Sequence, residues 1–162
     1  MRKEIQLYMI IKINQAVYQT YLSDILKLLQ ENYSINLPNI REIDSLCLEK
    51  ANALEQYLSD GTAFCFGYKQ NSQIIGFIWA YKVFIESGFK LHIAHLVVGS
   101  GYRGQGVGHR LFNALDNDFG SDSLFKGYEL ITSCSNKQAV QFYKKLGFIE
   151  SRVFMEREKI DT

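Results

Sequence analysis

The segment LVVGSGYRGQGVGHRLFNAL, residues 96–115, contains the pattern that decides the fold. A short apolar run leads into a loop with five glycines between Gly99 and Gly108, and the whole segment has two arginines and no acidic residue. Apolar residues then recur at helical spacing, at Val107, Leu111 and Leu115. The pattern predicts a strand, a glycine-rich loop and a helix, an arrangement that can hold an anion on backbone N–H groups.

The glycine spacing excludes two known kinds of anion-binding loop. A dinucleotide fingerprint that begins at Gly104 requires a glycine where the chain has His109. A P-loop that begins at Gly101 requires a lysine where the chain has Val107. What remains is the motif Arg-x-x-Gly-x-Gly, residues 103–108, directly after a strand and at the start of a helix.

Length and composition limit the class of protein. The chain has 162 residues, which predicts a single domain over 1–162, with 47% hydrophobic and 22% charged residues. A net charge of +1 argues against nucleic-acid and membrane partners. The three cysteines, Cys47, Cys65 and Cys134, are far apart and form no CxxC pair, which indicates reduced thiols, a cytoplasmic location and no metal site.

Hydrophobic periodicity predicts an ordered series of elements. Two helices on either side of a loop at 36–39 follow a first strand at 5–13, and two strands joined by a turn at 70–72 come next. Further predicted elements are the strand LHIAHLVV, a helix ending near Phe119, the strand YELITSC, a helix capped by Ser135 and Gln138 that ends at Gly147, and a last strand FIESRVFMEREK. This order predicts an α/β (α+β) fold, with a mixed sheet of about six or seven strands between helices on both faces.

Charge is unevenly distributed along this order. Residues 18–60 contain seven acids and three bases, a balance of −4, whereas residues 61–162 contain twelve bases and nine acids, a balance of +3. Solvated helix faces explain such a difference. The alternative is that the second part binds an anion and the helical first part meets a cation.

Residues 95–108, with the preceding strand and the following helix, resemble the acetyl-CoA motif of the GCN5-related N-acetyltransferases (GNAT). The family motif is (Gln/Arg)-x-x-Gly-x-(Gly/Ala), and the family's second motif is similar to NKQAVQFYKKLGF, residues 136–148. The resemblance extends over about two thirds of the chain. It implies that 61–162 form the acetyl-CoA-binding core, and that 1–60 supply the first strand and the helices on the acceptor side.

The resemblance also implies how acetyl-CoA would bind. Loop N–H groups would hold the pyrophosphate, and the strand ending at Val98 would pair with the pantetheine arm if its neighbouring strand diverges. An N–H near Leu96 would polarise the thioester carbonyl. The implied cofactor-binding residues are Leu96, Val97, Val98, Arg103, Gly104, Gln105, Gly106, Val107, Gly108 and Asn136.

For catalysis, the resemblance implies that Tyr143 protonates the departing thiolate. Many relatives carry a glutamate base on the central strand, but no carboxylate lies between Glu86 and Asp116 here. His92 is the preferred substitute, because histidine titrates near neutrality. His95 is a weaker alternative and His109 weaker still, and whether a bound water is the base stays open. Regular strand alternation predicts that His92 and His95 lie on opposite faces.

Two functions remain as hypotheses. The first is transfer of an acetyl group from acetyl-CoA to a primary amine of a small molecule or peptide, which we expect to be positively charged. The second is a catalytically inactive CoA-binding or regulatory module with the same fold. The aromatic segment TAFCFGY, taken as a sheet edge, suits a homodimer.

Overall fold

The computed structural model describes residues 7–159. This part of the chain forms two compact units that divide between Ile131 and Thr132. The first unit contains β1 (Tyr8–Ile13), α1 (Gln15–Asn36), α2 (Ile43–Ser59), β2 (Ala63–Gln70), β3 (Gln73–Ile85), β4 (Gly88–Val98), a 3-10 turn (Ser100–Tyr102), α3 (Val107–Phe119) and β5 (Phe125–Glu129). The second unit contains α4 (Lys137–Lys145).

The sheet of the first unit has its strands in sequence order. The pairs β1–β2, β2–β3 and β3–β4 are antiparallel. The pair β4–β5 is parallel, because α3 crosses between these two strands. The predicted α/β fold with a mixed sheet is therefore confirmed. The described residues form five strands rather than six or seven.

Helices α1 and α2 cover one face of the sheet. Asn14 caps α1 by accepting a hydrogen bond from the Val17 N–H at 3.2 Å. Fully buried Ile25 and Leu29 on α1 pack into one cluster with sheet residues that include Phe77, and burial of each such side chain contributes about 1.5–3 kcal/mol. The Tyr18 hydroxyl donates to the Ala51 carbonyl at 2.6 Å and so joins α1 to α2.

Helix α3 covers the opposite face. Its Leu111 and Leu115 are fully buried, and Phe119 contacts the Phe64 ring edge-on with ring centres 4.6 Å apart. The helix lies close to the sheet at Gly76, where a Cβ atom would lie 3.2 Å from Val107, a contact that is tight enough to require its neighbours to shift. Helices on both faces were predicted, and both are present.

A one-residue bulge in β4 changes which side chains share a face. His95 is opposite Trp79, but Ile93 is opposite Ala80, so Ala94 is an extra residue. His92 and His95 therefore lie on the same face, that of α1 and α2. The predicted placement on opposite faces is wrong, because simple alternation assumes a strand without a bulge.

Strands β4 and β5 pair over only part of their length. Their register runs from Phe89 opposite Phe125 to His92 opposite Glu129, whereas β4 continues beside β3 to Val98. Strand β5 has one extra residue between Phe125 and Tyr128, and Gly127 in this stretch has a φ of +123°, a conformation that favours glycine. Among the described strands, none pairs with residues 93–98 of β4 on the β5 side.

Several local predictions are corrected. Strand β5 lies at 125–129 rather than over YELITSC, because its pairing with β4 stops at Glu129. The predicted last strand at 148–159 does not form, since no described strand pairs with it, and Phe154 is 79% exposed. The first strand begins at Tyr8; residues 5 and 6 of the predicted strand lie outside the described residues.

The segment TAFCFGY is not a sheet edge. It forms most of β2, which pairs with β1 on one side and β3 on the other, and its Phe66 and Tyr68 are buried. The structural argument for a homodimer through this segment is therefore wrong. No helix within residues 7–159 is long and apolar enough to cross a bilayer.

Candidate functional site

The glycine loop connects β4 to α3 through two left-handed backbone positions. Gly104 has a φ of +74° and Gly106 a φ of +79°, and Gly106 is the N-cap of α3. A Cβ atom at Gly104 would have open space within 4 Å. The loop backbone is therefore accessible at this point, and glycine is required there for its conformation rather than for lack of space.

The N-terminus of α3 carries N–H groups without acceptors inside the helix. No side chain caps the helix at Gly106, and the first intrahelical bond runs from the Arg110 N–H to the Gly106 carbonyl at 3.1 Å. The amides of Val107 and Gly108 precede that bond. They lie at the positive end of the helix dipole, a position that favours anions in general.

The two arginines of this segment stabilise the loop. The Arg103 Nε–H donates to the Val98 carbonyl at 3.0 Å, and the Arg110 guanidinium donates to the Gln105 carbonyl at 2.9 Å. The Gln105 amide donates in turn to the Gly101 carbonyl at 3.2 Å. Both positive charges therefore lie beside the loop, while their hydrogen bonds hold its backbone in shape.

The loop follows directly from the unpaired edge of β4. Leu96, Val97 and Val98 lie at the end of this strand, in the part that pairs with β3 and not with β5. Val97 is buried, and the other two side chains are half-buried. The divergence of the neighbouring strand that the resemblance required is thus present in the first unit.

On the α1 and α2 face, an aromatic–histidine cluster lies next to this edge. It consists of Tyr33, Tyr57, Trp79, Tyr81, His92 and His95. The centre of the Tyr81 ring lies 4.9 Å from that of Tyr57 and 5.0 Å from that of His92. The Trp79 and His95 rings are stacked, with their centres 6.1 Å apart. A surface of aromatic faces favours a cation or a second ring as its ligand.

His95 is held neutral within this cluster. The Trp79 Nε1–H donates to His95 Nδ1 at 3.1 Å, and the Tyr33 hydroxyl lies 2.6 Å from Nε2. Burial, with a smaller effect of the Lys50 charge, lowers the pKa of His95 to about 4. Because an indole N–H only donates, Nδ1 is the acceptor and Nε2 carries the proton. His95 has no free lone pair and is a poor candidate base.

His92 has a carboxylate partner that the sequence did not indicate. Its Nδ1 lies 3.3 Å from Glu129 Oε1, and the two side chains are 18% and 35% exposed. His92 and Glu129 are opposite each other at the last pair of the β4–β5 register. The arrangement leaves Nε2 as the ring nitrogen that is not directed at Glu129.

Tyr143 and Asn136 lie in the second unit, on α4. Tyr143 is half-buried and its ring contacts Phe142 and Phe148 with centres 5.2 and 5.3 Å apart. Burial raises the pKa of Tyr143 to about 12, which keeps the phenol protonated. Asn136, not Ser135, is the N-cap of α4, because its side chain accepts from the Ala139 N–H at 3.1 Å.

The sequence analysis did not identify Glu129 or the aromatic members of the aromatic–histidine cluster as site residues. Glu129 is the second residue of the predicted strand YELITSC, so a parallel pairing of this strand with the central strand could have placed it near His92. Trp79 and Tyr81 alternate on β3, which was a recognisable signal for one face. The exposed His109 lies on α3 and not in the cluster.

Comparison with known proteins gives consistent results. Residues 39–162 match the model of the acetyltransferase (GNAT) domain. A GCN5-related N-acetyltransferase from Ralstonia eutropha JMP134 superimposes with a TM-score of 0.73 at 12% identity, over 94% of this chain and 99% of that one.

Two aminoglycoside acetyltransferases have the same fold. One, meta-AAC0020 from an uncultured soil metagenomic sample, was solved with sisomicin; its TM-score is 0.71 at 15% identity, over 95% of this chain and 97% of that one. The other, AAC(6')-Iy, was solved with CoA; its TM-score is 0.68 at 17% identity, over 99% of this chain and 100% of that one.

Proposed function

Since the chain belongs to the GNAT acetyltransferase family, we propose that it transfers an acetyl group from acetyl-CoA to a primary amine of a small molecule or peptide. The observation that carries the proposal is the end of β4. The strand loses its β5 partner after His92 and then leads directly into a loop with two left-handed glycines at a helix N-terminus. A peptide-like arm and a pyrophosphate need these two features, in this order along the chain.

The residues of the chain fit this cofactor. The uncapped amides of Val107 and Gly108 suit a phosphate, and the open space around Gly104 lets a ligand approach the backbone. Bound acetyl-CoA supplies the acetyl thioester. We assign the proton on the departing sulfur to Tyr143, whose raised pKa keeps the hydroxyl protonated.

For the proton on the acceptor amine we favour His92 over His95. His95 already uses both ring nitrogens, with Trp79 and Tyr33 as partners. His92 uses Nδ1 towards Glu129 and is part of a face that an acceptor can contact. An ammonium must lose one proton before its nitrogen lone pair can attack, and an imidazole within reach can take that proton.

The aromatic–histidine cluster supports a positively charged acceptor. The Tyr81 ring lies beside His92 and the Tyr57 ring lies against Tyr81, and aromatic faces attract ammonium groups. The acidic residues of α1 and α2 give weaker support, since several are already engaged. Asp24 and Glu31 accept backbone N–H groups of the first unit, and Asp44 and Glu55 accept from glutamine side chains.

The test is a thiol-release assay with a panel of polyamines, aminoglycosides, amino sugars, amino acids and peptides, together with a measurement of acetyl-CoA binding. We expect binding and amine-dependent release of CoA. Binding without release for any amine supports the inactive CoA-binding module. Absence of binding contradicts both functions.

A further inference from the structure

Glu129 and His92 are brought together by the backbone rather than by flexible side chains. They are direct partners in the parallel β4–β5 register, at the last position before the strands part. One extra residue of β5 between Phe125 and Tyr128, where Gly127 has a φ of +123°, sets the register that brings Glu129 to that position. Neither residue is fully exposed, and Glu129 Oε1 lies 3.3 Å from His92 Nδ1.

The ring of His92 is held on its other side as well. Tyr81 lies against it with ring centres 5.0 Å apart and planes inclined at 30°. An ionised carboxylate can only accept hydrogen bonds. A proton between these two atoms therefore belongs to Nδ1, which leaves a lone pair on Nε2.

The contrast with His95 makes this assignment specific. Trp79 donates to Nδ1 of His95, so the neutral His95 ring carries its proton on Nε2. Two histidines on one face of one strand, three residues apart, are thus expected to exist as opposite tautomers. The reason is that Nδ1 of His95 faces a donor, the Trp79 N–H, whereas Nδ1 of His92 faces an acceptor, the Glu129 carboxylate.

We propose that Glu129 is a positioning residue: it holds His92 as the Nδ1–H tautomer, so that the Nε2 lone pair is free to take a proton from the acceptor ammonium. In that step the N–H bond of the ammonium breaks and an Nε2–H bond forms. The product is a neutral amine and an imidazolium beside the Glu129 carboxylate. The catalytic part rests on the proposed function, whereas the tautomer does not.

The tautomer is measured by 15N NMR of the histidine rings at neutral pH, assigned with His92→Gln and His95→Gln. We expect an unprotonated Nε2 for His92 and an unprotonated Nδ1 for His95. In Glu129→Leu, the Nε2–H form of His92 should appear while His95 is unchanged. The control Glu86→Leu removes an exposed glutamate between β3 and β4 and should change neither ring.

Kinetics with the best amine of the panel test the consequence. Glu129→Leu should lower kcat by on the order of 10-fold and leave the KM for acetyl-CoA unchanged, because the cofactor does not contact Glu129 in this scheme. Glu129→Gln keeps an acceptor for Nδ1–H and should restore part of kcat. In the His92→Gln background, Glu129→Leu should have no further effect, because it acts through His92.

Any one of three results overturns the proposal. The first is a proton on Nε2 of His92 in the parent, and the second is an unchanged His92 signal in Glu129→Leu. The third is a fall in kcat, when Glu129→Leu is added to His92→Gln, as large as the fall it causes in the parent. A protein with both expected tautomers that acetylates no amine keeps the tautomer assignment. That result overturns the proposed function and the catalytic role of the pair together.

Discussion

Two histidines three residues apart in β4 differ in chemistry because their neighbours differ. His95 lies between Trp79 and Tyr33, where burial stabilises the neutral ring, whereas His92 lies beside the Glu129 carboxylate. Their common face depends on the bulge at Ala94. The family resemblance identified the histidines as candidates, but a bulge depends on strand pairing and leaves no pattern in a single sequence.

The neutral state of His95 couples its protonation to folding. Its pKa is about 4 in the native protein, against about 6.5 for an unperturbed histidine. The unfolded chain therefore binds more protons between these pH values, so the free energy of unfolding falls as pH falls through this window. We expect this single group to account for about 2 kcal/mol of lost stability between pH 7 and about pH 5.

Urea unfolding of the parent and of His95→Gln at both pH values measures this contribution. The variant should be less stable at pH 7, because its contacts with Trp79 and Tyr33 change, but it should lose less stability on acidification. Equal losses in the parent and in His95→Gln would contradict a buried neutral His95.

Tyr143→Phe tests the proposed acid on α4. The substitution keeps the ring contacts with Phe142 and Phe148 and removes only the hydroxyl, so the melting temperature should change little. If this hydroxyl protonates the thiolate, kcat should fall by on the order of 10²-fold, with the KM for acetyl-CoA nearly unchanged. Tyr21→Phe on α1 is a matched control, and an unchanged kcat in Tyr143→Phe would leave the residue a purely packing role.

At the scale of elements, the glycine loop was the most predictable part of the molecule. Its position between strand and helix follows from the switch in hydrophobic period, and the left-handed Gly104 and Gly106 follow the motif. The role of Arg103 was less predictable. Its bond to the Val98 carbonyl connects loop and strand, a contact that depends on the folded shape of the loop.

Gly106→Val tests whether the loop backbone binds the cofactor. A β-branched residue at a φ of +79° is strained by about 1–3 kcal/mol, although a Cβ there would make only ordinary contact with Arg110. The strain should shift the N–H groups at the start of α3, so we expect loss of acetyl-CoA binding in a protein that remains folded.

Isothermal titration calorimetry and circular dichroism measure binding and folding in Gly106→Val. Gly101→Val is the matched control, because Gly101 has no positive φ and open space around its Cβ position. It should bind acetyl-CoA nearly as the parent does. Tight binding by Gly106→Val would be incompatible with the loop as the pyrophosphate site.

At the scale of the whole molecule, the order of the elements was predictable, but the strand pairing of the segments after α3 was not. Apolar runs and helical apolar patterns located β1 to β4 and α1 to α3, because these elements bury apolar side chains in the core. The segment at 148–159 also contains an apolar run, residues 153–155, but forms no strand, since a strand also needs a partner. Glu129 became part of the candidate site only through the parallel register.

A positively charged acceptor predicts that rates depend on ionic strength. Among diamines and monoamines of equal length, the diamine should have the higher kcat/KM, because Glu129 and the aromatic rings attract a second ammonium. That advantage should fall roughly 2- to 5-fold as salt shortens the screening length from about 30 Å to about 8 Å. A neutral or anionic best acceptor with salt-independent rates would rule out the electrostatic argument and leave acetyl transfer intact.

The unpaired side of β4 also has a consequence for how the protein behaves at high concentration. A strand edge with free N–H and C=O groups can pair with the edge of another molecule, and residues 93–97 have no strand partner on the β5 side among the described strands. We therefore expect light scattering to detect more self-association without CoA than with it, because the pantetheine arm would occupy the same groups. In this protein the supply of cofactor would then govern colloidal stability as well as turnover.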